Sequence, residues 1–182
     1  MKYAIVYSST TGNTKMLAEA LALYMKKTDC VLCETKHADA IDADFYFVGF
    51  WTFRGKCDKN TQHFLQTLQH KRIFLFGTAG FGSSPAYYKK ILRRTRKHLN
   101  ASAKLTGSFM CQGKMPPQIQ KKYESMLHSF FTQKYAKHMI RNYDCALNHP
   151  NQQDLDELYS ELLNVLPDLN SFEPIADCEV KT

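Results

Sequence analysis

The chain predicts a doubly wound α/β fold with helices on both faces of a parallel sheet and a helical C-terminal extension. Two observations carry this. Short runs rich in β-branched and aromatic residues recur along the sequence, with helical periodicity between most of them, and several runs are apolar throughout instead of alternating. Continuous apolarity is what a strand shows when helices cover both of its faces.

The first run is YAIVY (3–7), followed after a polar turn by an apolar stripe of Leu17, Leu21, Tyr24 and Met25 at helical spacing. CVLCET (30–35) and FYFVGF (45–50) come next, separated only by KHADAIDAD, which is too short for a full crossover helix but holds a helical turn or two. Phe64, Leu65 and Leu68 mark a short helix before RIFLFG (72–77). Tyr88, Ile91, Leu92, Thr95 and Leu99 mark another before KLTGSFMCQ (104–112). Beyond this the pattern is helical over 119–131, 135–147 and from Leu155 to Leu166, punctuated by KMPPQ and NHPNQQD, with Asn151 or a neighbour as cap.

With 182 residues the chain suits one domain, expected over 1–169, of which 113–169 is the helical C-terminal part; 170–182 reads as a loose acidic tail. No apolar run approaches the roughly 20 residues of a membrane span, and the start leads into a strand without a secretory apolar core. A cytoplasmic protein with no membrane partner and reduced thiols is the expectation. Its six cysteines are scattered, and the C-x-x-C of Cys30 and Cys33 falls in a strand, where residues three apart face opposite ways. No metal site is expected there.

Charge is unevenly spread. Residues 51–140 carry 17 basic and 2 acidic groups, whereas 141–182 carry 2 and 9. The densest cluster, KKILRRTRKH (89–98), reads as a solvated helix face or as a docking surface for an acidic partner. Nucleic acid is not expected as a partner, because no aromatic or glycine-rich RNA-binding signature accompanies the charge.

The turn after the first strand, SSTTGNT (8–14), is the feature that points to function. In open α/β sheets, ligands bind beyond the carboxyl ends of the strands. This turn offers backbone N–H groups at a helix start, the hydroxyls of Ser9, Thr10, Thr11 and Thr14, the Asn13 amide, and Gly12 for tight closure. That chemistry suits a phosphate. A nucleotide-hydrolysing loop would need G-x-x-x-x-G-K-[ST] and a dinucleotide fold G-x-G-x-x-G, and neither is present here. A nest of neutral donors suits a phosphomonoester that stays bound.

Taken with the loops GFWTFRGKCD (49–58) and FGTAGFGSSPAYY (76–88), YSSTTGNT resembles the flavodoxin family over roughly residues 1–113. The resemblance implies a five-stranded sheet in the order 2-1-3-4-5, FMN as cofactor, and electron transfer to a partner reductase. It implies phosphate contacts at Ser9, Thr10, Thr11, Gly12, Asn13 and Thr14. Ring contacts would come from Trp51, Thr52, Phe53, Arg54 and Gly55, and from Thr78, Ala79, Gly80, Phe81 and Gly82. Trp51 and Phe53 compete for stacking on the ring. The C-terminal part looks most like the short BilS-type flavodoxins of anaerobic gut bacteria, some of them associated with bilirubin reductase. The chain departs from classical flavodoxins in having Arg54, Lys56 and Lys59, not carboxylates, beside the ring loop.

No catalytic dyad is expected, since the seven histidines are dispersed among mostly polar neighbours. The chemistry would belong to the cofactor. Two other readings stand beside the electron carrier: an FMN-dependent NAD(P)H reductase of quinones or other small acceptors, and a cofactor-free binding or regulatory module.

Overall fold

A computed structural model describes residues 1–167 apart from 27, 39 and 83. The strands β1 (Tyr3–Tyr7), β2 (Cys30–Glu34), β3 (Phe45–Phe53), β5 (Arg72–Ala79) and β6 (Lys104–Gln112) pair in parallel in the order β2-β1-β3-β5-β6. Those are the five strands and the order the sequence predicts. A sixth strand, β4 (Lys56–Cys57), pairs antiparallel with the end of β3 and was not expected. The acidic tail expected from residue 170 lies outside the described residues.

The helices follow from which faces the strands leave apolar. On one face, α1 (Asn13–Tyr24) and α6 (Gln152–Val165) bring Leu17, Leu21, Leu158 and Leu162 against Ile5, Phe45, Phe47, Phe74 and Phe76. On the other, α2 (Lys59–Thr67) and α3 (Pro85–Arg96) bring Phe64, Leu65 and Ile91 against Ala4, Val6, Tyr46, Val48 and Leu75. Consecutive residues of β1 and β3 thus enter opposite cores, which is why those strands read as unbroken apolar runs.

Cys30 packs on the first core and Cys33 on the second, so the two thiols do face apart. Burial pushes the Cys30 thiol up to about 11. Among the described residues no cluster of His, Cys, Asp or Glu has the makings of a metal site, and no helix is long and apolar enough to cross a membrane.

Helix ends are set by local chemistry. Asp58 caps α2 by accepting from the Asn60 and Thr61 N–H groups, and Ser84 caps α3 ahead of Pro85. Asn151 and Asp154 form a reciprocal capping box on α6. Among the described residues between β2 and β3 only the single turn Thr35–His37 is helical, and Tyr46 pins the segment by donating to the Ile41 carbonyl and accepting from the Ala43 N–H.

The helix expected over 119–131 is shorter. Helix α4 (Pro117–Ser125) runs into a tight turn, Met126–His128, and the chain leaves helical structure before α5 (Gln133–Ala146). Thr132 Oγ1 closes this break by donating to the Met126 carbonyl at 2.6 Å. Phe130 and Phe131, which the sequence pattern assigns to the helix, are 91% and 93% exposed. Among the described residues there is no surface beneath them to bury against, and the apolar period ends without a helix to carry it.

Helix α6 is held by Leu158 and Leu162, both fully buried. Leu162→Ala is expected to lower stability by about 2–5 kcal/mol through lost burial and the cavity left behind, measured by urea unfolding.

Candidate functional site

Strand β1 ends at the level where the Ser8 N–H donates to the Gly49 carbonyl, so the following turn lies on the C-terminal edge of the sheet. Gly12 then turns the chain into α1 with φ at +86°, a left-handed conformation that costs glycine little. No side chain caps α1, and no acidic residue sits in its first turn. Its leading N–H groups therefore remain free to meet an anion. Thr10 and Thr11 are exposed beside it, and the Ser9 Oγ is buried without a hydrogen-bond partner.

Two residues of the turn face inward. The Asn13 side-chain amide donates to Thr11 Oγ1 and to the Lys114 carbonyl, each at 2.8 Å, which occupies both of its hydrogens. Thr14 is fully buried, its Oγ1 3.0 Å from Thr78 Oγ1. For both, the group left to face an anion is the backbone N–H, not the side chain.

The second loop is a hairpin. Strand β3 runs on through Trp51, Thr52 and Phe53, then turns at Arg54 and Gly55, whose φ angles of 51° and 77° match the two-residue turn that suits strand twist. Alternation along the strand brings Trp51 and Phe53 to one side, ring centres 5.5 Å apart, with the Arg54 guanidinium 5.2 Å from the Phe53 ring centre. Thr52 Oγ1 is buried and lacks a partner. The hairpin is fixed to α3 by the Cys57 N–H donating to Thr95 Oγ1 at 3.0 Å and by Arg94 reaching the Gly55 carbonyl.

The third loop continues β5 through Thr78, Ala79, Gly80, Phe81 and Gly82. The Phe81 ring meets the rings of Tyr87 and His138 edge to face.

These three loops enclose a cleft of about 390 Å³. Thr10, Thr11 and Asn13 line it from the turn, Trp51, Thr52, Arg54 and Gly55 from the hairpin, and Thr78, Ala79, Gly80 and Phe81 from the third loop. A second cleft of about 410 Å³ shares Thr10 and Trp51 as a wall and is lined by Ser9, Phe53, Lys36 and Lys59. Gly12, Thr14 and Gly82 line neither cleft. Lys114, Met115, Pro116, Ile119 and Tyr123, leading into and along α4, close the remaining side of the first cleft with Tyr87 of α3. The sequence reading misses this wall. Its one available signal is the proline pair straight after β6, which starts a helix at a strand's carboxyl end, where ligands gather.

The rim is electropositive. Among the described residues the ion pairs are Lys15–Glu19, Lys36–Glu34, Lys71–Asp42 and His149–Asp154, so Arg54, Lys56, Lys59 and Arg94 have no carboxylate partner. Burial, and then the nearby Lys56 charge, hold the His98 imidazole below its ordinary range.

A doubly wound sheet whose cleft lies over the carboxyl ends of β1, β3 and β5, with an uncharged anion nest at one end and paired aromatic rings beside it, is a flavodoxin-like arrangement. The chain belongs to the flavodoxin-domain family, whose model matches residues 4–162. It is 37% identical over 184 residues to a flavodoxin-like domain-containing protein, BilS, of Clostridium symbiosum (strain WAL-14163), covering 92% of this chain and 97% of the relative. A BilS protein of Clostridioides difficile (strain CD3) is 30% identical over 161 residues, covering 86% and 92%.

Two solved structures share the fold. One is a short-chain flavodoxin associated with a non-canonical PDU bacterial microcompartment, with TM-score 0.55, 15% identity, and coverage of 93% of this chain and 99% of that one. The other is rubredoxin oxygen:oxidoreductase of the anaerobe Desulfovibrio gigas, with TM-score 0.55, 17% identity, and coverage of 93% and 36%.

The family generally binds FMN. The residues here fit that group: an uncapped helix start, two buried hydroxyls without partners, and the tilted Trp51–Phe53 ring pair line adjoining clefts. Thr14→Val, which keeps the shape but strands the buried Thr78 hydroxyl, is expected to lower stability by about 1–3 kcal/mol in denaturant titration.

Proposed function

We propose that this chain binds FMN across the cleft and serves as an electron carrier to a partner reductase. The observation that carries the reading is the pair of buried, unpartnered hydroxyls, Ser9 Oγ and Thr52 Oγ1, on adjoining clefts, together with the uncapped start of α1. A buried hydroxyl without a partner is costly, and a phosphate satisfies it. In this reading Ser9, Thr10 and Thr11 bind the phosphate through hydroxyls, and Gly12, Asn13 and Thr14 through backbone N–H groups. Thr52 completes the set from the hairpin. Either Trp51 or Phe53, whose rings are inclined at 58° to one another, supplies the aromatic face for the ring, with Arg54 and Gly55 at its edge; Thr78 to Gly82 form the opposing loop.

FMN supplies the redox chemistry, accepting and returning electrons singly or in pairs. The chain's own part is to hold the cofactor, exclude water from one face and set the local field. Arg54, Lys56, Lys59 and Arg94, without carboxylate partners among the described residues, make the rim attractive to an acidic surface, so the partner is proposed to dock there.

Titration of the apoprotein with FMN, followed by absorbance, tests the reading directly. One equivalent is expected to bind, and riboflavin, lacking the phosphate, at least a hundredfold more weakly. The Ser9→Ala, Thr52→Val double substitution is expected to weaken FMN by about 2–5 kcal/mol, since a hydrogen bond to a charged group is worth roughly 1.5–3. Protein that takes up no FMN, or that binds riboflavin equally well, overturns the proposal. Rapid steady turnover of NADPH with a quinone by the purified protein alone would replace the carrier role with that of a reductase.

A further inference from the structure

Helix α5 belongs to the C-terminal extension and contributes no residue to the wall of the cleft. It nevertheless grips the third loop at three points. Asn142 Nδ2 donates to the Gly80 carbonyl at 3.0 Å, while Asn142 Oδ1 accepts from the Gly82 N–H at 3.0 Å. One turn earlier on the same helix face, His138 meets the edge of the Phe81 ring. Phe81 thus has the peptide groups on both sides bound by one side chain and its ring held by another.

The clamp has its own support. Gln112, the last residue of β6 and almost fully buried, directs its Nε2 at the Gly80 carbonyl, the Asn142 carbonyl and Asn142 Oδ1, at 3.2, 3.3 and 3.2 Å. Donation from Gln112 fixes which end of the Asn142 amide is oxygen, and that in turn fixes Asn142 as donor to Gly80 and acceptor from Gly82. The Gly80 carbonyl is held by two amides. The Gly80 and Phe81 N–H groups, in contrast, have no partner among the described residues, and both residues line the cleft.

We propose that Asn142 is a positioning residue for the flavin site: by binding the Gly80 carbonyl and the Gly82 N–H together, it holds the loop so that the Gly80 and Phe81 N–H groups stay available to the ring. This rests on the FMN reading above. It assigns a role to the helical extension that the cleft lining alone does not reveal. Only an amide of this length serves. Alanine removes both bonds, and aspartate keeps an acceptor for Gly82 but sets a carboxylate against the Gly80 carbonyl.

The test compares Asn142→Ala and Asn142→Asp with Met139→Ala, which loosens the same helix at a buried position whose side chain makes no hydrogen bond to the loop. In the apoprotein, amide hydrogen exchange by NMR is expected to show Gly82 deprotected about tenfold or more in Asn142→Ala, less in Asn142→Asp, and unchanged in Met139→Ala. With FMN, both Asn142 variants are expected to weaken binding about tenfold and to shift the midpoint potential and the visible circular dichroism. Met139→Ala is expected to leave potential and spectrum as in the wild type.

Wild-type protection, potential and spectrum in Asn142→Ala overturn the proposal, as does an equal response in Met139→Ala, which would mean helix stability alone is at work. A wild-type protein that takes up no FMN overturns it by the other route, through the flavin reading, whatever Gly82 does.

Discussion

The geometry of the cleft depends on one buried hydrogen bond, that between the hydroxyls of Thr14 and Thr78. Thr14 lies in the first turn of α1 and Thr78 near the end of β5, so the bond ties the turn after β1 to the loop after β5 across the cleft. Both residues are out of reach of water, at 0% and 4% exposure. If the two elements move apart, each hydroxyl loses its partner in a place where no solvent replaces it. The spacing of the two loops is thereby fixed before any ligand arrives. Asn13 adds to this by bridging Thr11 to the Lys114 carbonyl, and so joins the turn to the chain leaving β6. Loops held in this way lose little freedom on binding, which leaves more of the contact energy for affinity.

The sheet was legible because burial on both faces writes itself into composition. β3 shows it best: Phe45 and Phe47 enter one core and Tyr46 and Val48 the other, so no polar residue interrupts the run. The same logic misplaced its end. Thr52 breaks the apolar pattern, yet the strand continues to Phe53, because β4 pairs back on it through Arg54 and Gly55. Arg-Gly is a weaker hairpin signal than Asn-Gly, and the left-handed conformation of Arg54 shows only in the backbone. For the helix expected over 119–131 the failure ran the other way. Periodicity counts apolar residues but is blind to whether a surface lies beneath them, and among the described residues none lies under Phe130 and Phe131.

The site divides along a similar line. Which loops would meet was legible, since open sheets gather ligands at one edge and the three loops follow β1, β3 and β5. Which atoms would face the cleft was not. Hydroxyl-rich composition gives Thr14 and Ser9 the same standing, but Thr14 is occupied by Thr78 whereas Ser9 is left with a buried, unpartnered oxygen. The wall from Lys114 to Tyr123 and the clamp at Asn142 depend on how the C-terminal helices fold back over the strand ends. Those contacts join residues far apart in sequence; the proline pair after β6 hints at the wall, but no local pattern points to the clamp.

The charge asymmetry acquires direction only from the fold. The basic stretch is largely α3, whose last turn carries Arg93, Arg94 and Arg96 where a helix dipole favours cations. The acidic groups Asp154, Asp156, Glu157 and Glu161 lie on α6, which packs on the opposite core. Part of the run therefore has a plain structural reason, the stabilisation of its own helix end. Arg94 does more, because it reaches the Gly55 carbonyl and so joins that helix to the hairpin at the cleft. Arg54, Lys56 and Lys59 lie on or beside the same hairpin, and among the described residues none of them is paired with a carboxylate. Cations gathered at the rim draw an approaching acidic surface toward that side of the cleft.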